Sequence, residues 1–293
     1  MKGEKCRFSV IISAYNVEPY IERAINSVLA QEFKDYEIIV VEDKSTDNTL
    51  EKILKYEGKI NIVKNEKNIG LGAVRNKGIE IAKGEYIVHL DGDDTLYDSL
   101  ALKKADELIG TKTPDIIFLG FQEVNGNNRL RVSNKENSTK EARLLCDTNF
   151  AIPSKIWRKE FLVKSNLKFM EDIYYEDMVY SMNAVILADE TMYGDFPIFN
   201  YYRNREGSIT TKPSVRRCTD MFKVLAYLTE IYEQAPENLK PYLLSFILNE
   251  TKNVPFRMAK ILKAIENNEN SPLFAKRQYE YVDIEDIIKE EDI

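Results

Sequence analysis

The most constraining feature of this sequence is an alternation of short, β-branched-rich apolar runs with amphipathic helical patterns over residues 8–90. Residues 8–13 form a short apolar strand pattern. Pro19 follows, at a place where a first helical turn tolerates a missing N–H. Ile21, Ile25, Val28 and Leu29 then recur at helical spacing. Residues 36–42 (YEIIVVE) read as a second strand, because branched side chains suit a pleated, buried surface. Leu50, Ile53 and Leu54 mark a second helix, and residues 60–63 a short third strand. A helix from about Leu71 ends at Gly84, a residue type suited to a helix C-terminus. Residues 85–90 (EYIVHL) are the fourth strand. The β-α-β-α-β-α-β order predicts an α/β fold with a mostly parallel sheet and right-handed crossovers. Ligands in such sheets bind outside the carboxyl ends of the strands. Here those ends carry Ser13-Ala14-Tyr15, Glu42-Asp43 and Asp91-Gly92-Asp93-Asp94.

The alternation fades further along. A helix is expected over residues 99–109, a strand over 115–122, and a turn, with a hairpin, at Asn125-Gly126-Asn127-Asn128. Residues 154–164 and 177–187 read as helical and 197–202 as extended. From about residue 213 the pattern is helical, with Met221, Leu225, Leu228 and Tyr232 spaced three and four apart. The acidic end, EDIIKEEDI, is a segment expected to fray.

Composition removes several classes. At 293 residues, 44% apolar and 30% charged, the chain has the make-up of an ordinary soluble globular protein. A net charge of −7 argues against nucleic acid as a partner, which would need a basic face to displace counterions. Cys6, Cys146 and Cys218 lack metal-ligand spacing and fit a reducing, cytoplasmic setting better than a disulfide framework. The N-terminal apolar run is too short for a signal peptide, and no stretch reaches the length of a membrane span. His89 is the only histidine, so no site can use two.

Four motifs carry chemistry. Asp91-Gly92-Asp93-Asp94 puts three carboxylates within four residues at a strand end. Such a group repels itself unless a cation or hydrogen-bond donors offset the charge. If the extended geometry continues, Asp91 and Asp93 look toward one ligand. Hard oxygen donors suit Mg²⁺ or Mn²⁺, with phosphate oxygens and water filling the shell. An acidic turn capping the next helix is the plainer account, and it suits Asp94 and Asp98 better than the whole cluster. Asp43 can accept the N3–H of uracil, a hydrogen that cytosine lacks. Asp47, in a run of helix-capping residues, reads as a cap. In residues 68–78 (NIGLGAVRNKG) the glycines allow close backbone approach and Arg75 can pair with a diphosphate. The run is not a dinucleotide fingerprint, because Arg75 replaces its third glycine. Taken alone, Arg75 reads as a solvated helix residue. Tyr174-Tyr175-Glu176-Asp177 precedes an apolar helical run. Acids there are usually caps or dipole partners; the sharper reading makes Asp177 a general base.

Taken together these motifs resemble family 2 inverting glycosyltransferases of the GT-A fold, of the bacterial polysaccharide and cell-surface glycan type. The matching text is Ser9-Val10-Ile11-Ile12 with Ala14-Tyr15-Asn16, then IIVVEDKSTDNT, NIGLGAVRNKGI and AKGEYIVHLDGDD, in the family's order and spacing. Glu176-Asp177 resembles its acidic pair, and residues 200–210 (NYYRNREGSIT) a segment that closes over the donor. The resemblance covers roughly residues 5–210. It implies a UDP-sugar donor, a divalent cation (Mn²⁺ or Mg²⁺) and a glycan or glycoconjugate acceptor. It places Ser13, Tyr15 and Asp43 at the nucleoside, and Asn68 and Arg75 at base and phosphates. Asp91 falls near the nucleoside, Asp93 at the metal with Asp94 as the alternative, Arg203 and Ser208 at the donor, and Asp177 at the base. Lys44 stands where the family more often has glycine. His89 is expected to share a face with Asp91 as a packed strand residue.

The domain organisation expected on this basis is a catalytic domain over 1–211 and a helical appendage over 212–293. The nucleotide-binding half spans about 1–98 and the acceptor-binding half about 99–211. The appendage is a candidate for covering the acceptor site, for homodimerisation, or for peripheral contact with the inner face of the membrane. Lys212, Arg216, Arg217 and Lys223 form a modest basic cluster there, for which a solvated helix face is the simpler account. Two rival functions remain. A sugar nucleotidylyltransferase would carry a glycine-rich, arginine-containing loop after the first strand, where this chain has Ala14-Tyr15-Asn16. A non-catalytic sugar- or protein-binding module would have no use for Asp93 and Asp177.

Overall fold

The computed structural model describes residues 5–124, 130–131, 150–202 and 214–267. These fall in two compact units, one ending at Tyr202 and the other beginning at Ser214. In chain order the first unit contains β1 (Phe8–Ala14), α1 (Ile21–Leu29), β2 (Tyr36–Glu42), α2 (Thr49–Leu54), β3 (Asn61–Lys64), α3 (Leu71–Ile81), β4 (Tyr86–Asp91) and β5 (Thr95–Leu96). It continues with α4 (Ala101–Ile109), β6 (Ile116–Val124), β7 (Leu130–Arg131), a 3-10 turn (Ile152–Ser154), β8 (Lys155–Arg158), α5 (Lys159–Lys164), α6 (Glu176–Leu187) and β9 (Thr191–Tyr202). The second unit contains α7 (Val215–Gln234) and α8 (Lys240–Glu266).

The strands form one mixed sheet in the order β3-β2-β1-β4-β8-β6-β9-β5, with β7 pairing β6. β1 lies between β2 and β4, parallel to both, and all seven of its residues are buried. That is the pattern of a central strand covered on both faces. α1 turns Ile21, Ala24, Ile25 and Val28 to the core. Each branched aliphatic side chain so buried stabilises the fold by roughly 1.5–3 kcal/mol. Order along the chain reverses between β1 and β4, since β1 leads outward to β2 and β3 on one side. This opens a crevice at the carboxyl ends of β1, β2 and β4, where Ser13, Asp43 and Asp91 sit.

The expected parallel half is present, with shifts of a residue or two at element ends. Two departures lie beyond it. The helix expected over 154–164 is a 3-10 turn, then strand β8, then the short α5. β8 is antiparallel to both β4 and β6, and Ile156 and Trp157 are fully buried. Tertiary pairing between two strands outweighs the local helical pattern there. β9 begins at Thr191, before the extended run expected from residue 197, because its pairing with β6 starts at Ile116↔Thr191. The turn expected at 125–128 lies outside the described residues, though β7 does pair β6 antiparallel.

In the second unit α7 buries Cys218, Met221, Val224 and Leu228. Leu225 and Tyr232, read as part of that stripe, are only half-buried. No helix among the described residues is long and apolar enough to cross a membrane.

Candidate active site

Asp43 follows β2 directly, and its carboxylate is nearly saturated by the chain itself. Oδ1 accepts Asn65 Nδ2 at 2.8 Å and the Ile69 N–H at 2.9 Å; Oδ2 accepts the Gly70 N–H at 3.0 Å. The Asp43 carbonyl accepts Asn68 Nδ2 at 3.2 Å. Asp43 is 2% exposed. Three of a carboxylate's roughly four lone-pair sites are therefore taken, leaving room on Oδ2 for one further donor. Gly70, at φ 85, adopts a left-handed conformation that points its N–H at Asp43 and starts α3. Next to Asp43, Lys44 keeps a left-handed backbone, φ 59, where the family favours glycine. A non-glycine residue holds that conformation at a steric cost of order 1 kcal/mol. Glu42 Oε1 accepts the Ser45 N–H at 2.6 Å; Asp47 Oδ1 accepts the Thr49 N–H at 3.0 Å and Oδ2 the Glu18 N–H at 3.1 Å, while Asn48 occupies the N-cap position of α2 expected of Asp47.

Ser13, next to last in β1, pairs with Asp91 of β4 and is buried, while Tyr15 is 39% exposed. The extended geometry does not continue past Asp91. The Asp94 N–H donates to the Asp91 carbonyl at 2.9 Å, closing a tight turn, so strand alternation does not set the direction of Asp93. Asp91 keeps a side chain 32% exposed, whereas Asp93 and Asp94 are buried. Asp94 Oδ1 accepts the Tyr202 N–H at 3.0 Å, so it fastens the turn to β9 and does not cap a helix. Burial, and then the Asp91 charge, push its carboxyl well above the usual carboxylate range. Arg23 of α1 donates Nη2 to the Asp93 carbonyl at 2.6 Å and lies 3.6 Å from the centre of the Tyr202 ring. No motif marks Arg23, whose carbonyl partner lies 70 residues away, whereas Tyr202 falls in the run 200–210 that the resemblance places over the donor.

Arg75 differs most from expectation. A solvated helix residue is the plain expectation, yet its side chain is 4% exposed. Nη1 donates to Glu176 Oε1 at 2.9 Å and Nη2 to Asp91 Oδ1 at 3.1 Å. Its guanidinium carbon lies 5.3 Å from the centre of the Phe169 ring. Burial works against the charge, but Asp91, Glu176 and Asp177 outweigh it and hold the Arg75 pKa above its ordinary value. The neighbouring glycine has a similar explanation. A Cβ on Gly72 would come within 2.1 Å of the Met170 carbonyl, so protein backbone, and not a ligand, requires the close approach there.

Glu176 and Asp177 open α6, where the helix dipole favours negative charge. Tyr175, just before them, is held at φ 68, an uncommon conformation for a bulky residue and one that clusters at functional sites. Glu176 is buried. Burial and then Asp177 push its pKa up to about 7, against the attraction of Arg75. Asp177 is half-buried, and its Oδ1 accepts the Met178 N–H at 2.9 Å. The Arg75 guanidinium thus faces Asp91, Glu176 and Asp177 together.

Behind Arg75 lies a ring cluster. His89 packs edge-on to Phe169, Phe169 stacks on Tyr180 at 3.7 Å, and Trp157 meets Tyr180 edge-on. Burial, then the Arg75 charge, keep His89 well below its ordinary pKa, so it is neutral and a packed strand residue as expected. Neither of its ring nitrogens has a hydrogen-bond partner among the described residues, nor do Trp157 Nε1, Tyr180 Oη and Ser181 Oγ.

No cluster of three or more His, Cys, Asp or Glu side chains placed to hold a metal occurs among the described residues. The acidic turn offers carboxylates alone. That donor set fits a hard divalent cation whose shell is completed by phosphate oxygens and water. Arg203 and Ser208 lie outside the described residues.

Residues 9–167 match the family described as Glycosyl transferase family 2. The chain is 31% identical to the uncharacterized glycosyltransferase EpsJ of Bacillus subtilis over 70% of its length and 63% of the relative's. It is 30% identical to the poly(ribitol-phosphate) beta-N-acetylglucosaminyltransferase TarS of Staphylococcus aureus, over 69% of this chain and 36% of that one. The chain therefore spans less than two thirds of either relative. Crystal structures of TarS 1–349 superpose with a TM-score of 0.67 in complex with UDP-GlcNAc and 0.70 in complex with UDP. Identities are 27% and 26%, with 83% and 89% of this chain covered and 72% and 77% of the other. A mannosyltransferase of Pyrobaculum calidifontis, solved with GDP-Man and Mn²⁺, shares the fold alone, at 14% identity and a TM-score of 0.60 over 99% of this chain and 81% of that one. With its strand order, its acidic turn and the match over residues 9–167, the chain belongs to glycosyl transferase family 2 and has the GT-A fold.

Proposed function

We propose that the protein transfers a sugar from a UDP-sugar to an acceptor hydroxyl with inversion, in the synthesis of a bacterial surface glycan. The observation that carries this reading is the placement of Asp177. It is half-buried at the N-terminus of α6, next to Glu176, which Arg75 joins to Asp91 at the end of β4. Arg75 thereby ties the helix that carries the proposed base to the strand end beside the crevice where a nucleotide would lie. The TarS complexes with UDP and UDP-GlcNAc support the choice of donor.

In this reading Ser13, Tyr15, Asp43 and Asn68 hold the nucleoside, with the exposed Tyr15 ring offering a face to the base. Donor binding belongs to about residues 1–98 and acceptor binding to about 99–211, with Arg203 and Ser208 on the donor. Asp91 lies near the nucleoside, and Asp93 would hold Mn²⁺ or Mg²⁺, which when bound offsets charge on the leaving diphosphate. Asp94, committed to Tyr202, is the weaker candidate ligand. The acceptor oxygen forms a bond to the anomeric carbon as the bond from that carbon to the diphosphate oxygen breaks. Asp177 takes the acceptor proton. Glu176 is too buried, and too engaged with Arg75, to meet an acceptor first.

A screen of UDP-, GDP- and CDP-sugars, read as nucleoside diphosphate release with Mn²⁺, tests this directly. UDP release from UDP-GlcNAc or another UDP-sugar is expected. Pyrophosphate formation from UTP and a sugar phosphate, or no turnover of any donor, would overturn it.

A further inference from the structure

We infer that Arg75 is a positioning residue: it bridges the donor side of the site to the helix that carries the base and does not contact the diphosphate. The inference rests on the reading of Asp177 as the base. Arg75 lies on α3, Asp91 ends β4 and Glu176 begins α6, 101 residues beyond Arg75. Each terminal nitrogen of the guanidinium serves a different carboxylate, at 2.9 and 3.1 Å. The planar fork holds those two nitrogens at a fixed separation, so it fixes the Glu176 and Asp91 oxygens relative to one another. Asp177 is covalently next to Glu176, so its position relative to Asp91 is set through the same bridge.

Three further observations favour this role over phosphate binding. The side chain is buried and its guanidinium lies against Phe169, so reaching a ligand would mean leaving both carboxylates. Its charge is already offset by Asp91, Glu176 and Asp177, which leaves little field for an anion. The Phe169 ring against which the guanidinium lies is itself stacked on Tyr180 at 3.7 Å, which fixes that face of the fork. A lysine offers one nitrogen in place of the fork and cannot reproduce the bridge, although it keeps the charge.

The test compares Arg75→Lys, Glu176→Ala and Glu176→Gln in the full chain. Turnover is read as UDP release from UDP-GlcNAc, and affinity for UDP and for uridine by calorimetry. A bridge predicts that Arg75→Lys and Glu176→Ala each lower kcat by about 10–100-fold, the scale of a misplacement near 1 Å. The ratio of UDP to uridine affinity should stay at the wild-type value in both. Glu176→Gln keeps an acceptor oxygen for Nη1 and should recover most of the kcat that Glu176→Ala loses. Should Arg75→Lys fail to fold, the two Glu176 variants still decide, because they break or keep one arm of the bridge without touching Arg75. Wild-type kcat in Glu176→Ala would overturn the bridge. So would an Arg75→Lys protein whose UDP affinity drops about tenfold relative to uridine, the signature of a lost phosphate contact. If Asp177→Asn is inactive while Glu176→Ala turns over normally, the bridge alone fails. If Asp177→Asn turns over normally, the base assignment fails and takes the bridge with it.

Discussion

The two sides of the crevice satisfy their buried charges in opposite ways. On the β2 side, Asp43 and Glu42 are answered by backbone N–H groups and the Asn65 amide, from the loop after β2 and the segment between β3 and α3. On the α6 side, Asp91, Glu176 and Asp177 share one guanidinium, and the ring cluster behind it leaves several polar atoms without partners among the described residues. The first arrangement builds a rigid cradle. Fixed dipoles hold its carboxylates and leave one lone-pair site for a ligand. The second leaves charge only partly compensated. Under-satisfied groups gather where chemistry is done, because saturation there would leave nothing for a substrate to complete.

That contrast can be broken most directly at Asp177. Asp177→Asn keeps the shape and a capable helix cap but removes the proton acceptor. Transfer should fall by roughly 10²–10⁴-fold, with UDP affinity and melting temperature near wild type. Turnover, calorimetry and thermal melting on one preparation check it. Normal turnover would make the residue a cap only, with Glu176 next in line.

Asp93→Ala sharpens the metal side. Transfer should be lost, and UDP affinity measured with Mn²⁺ should drop to the level measured with chelator. Wild-type activity in excess chelator would remove the metal from the reading.

The cradle predicts a loss of stability. Asp43→Ala leaves the Ile69 and Gly70 N–H groups and the Asn65 amide without their acceptor. Each hydrogen bond to a charged group is worth about 1.5–3 kcal/mol, so the loss in denaturant unfolding should reach several kcal/mol. In the intact protein, UDP should bind about 1–3 kcal/mol more tightly than CDP, because the remaining site on Oδ2 accepts a hydrogen that cytosine lacks. Equal affinities would confine Asp43 to the loop.

Glu176 gives a pH signature. Its folded pKa of about 7 lies above its ordinary 4.5, so the folded state binds the proton more tightly than the unfolded state. Its contribution to stability is therefore constant below about 4.5, declines as pH rises to about 7, and is level above. The stability difference between wild type and Glu176→Gln should move with pH across that window, by about 3 kcal/mol at most. A difference independent of pH would mean that Glu176 titrates normally. The smallest effect is expected at Lys44. Glycine there relieves the left-handed strain but frees the unfolded chain, so Lys44→Gly should stabilise by no more than about 1 kcal/mol.

The sequence by itself determined the parallel half of the sheet, the crevice at the ends of β1, β2 and β4, and the residues that line it. Those features rest on periodicity and on motifs whose parts lie within a few residues of one another. Asp43 precedes its loop and Asp91 ends its strand, so local order suffices to place them. Tertiary structure alone decided the rest. β8 is a strand because β4 and β6 flank it, although its own pattern suggests a helix. Arg75 reads as a solvated helix residue until Glu176 arrives from 101 positions away. Arg23 carries no local signal at all, since its carbonyl partner is 70 residues distant. The direction of Asp93 was lost to a turn that strand alternation cannot anticipate. A buried charge is defined by what surrounds it, and the chain brings those surroundings together only when it folds.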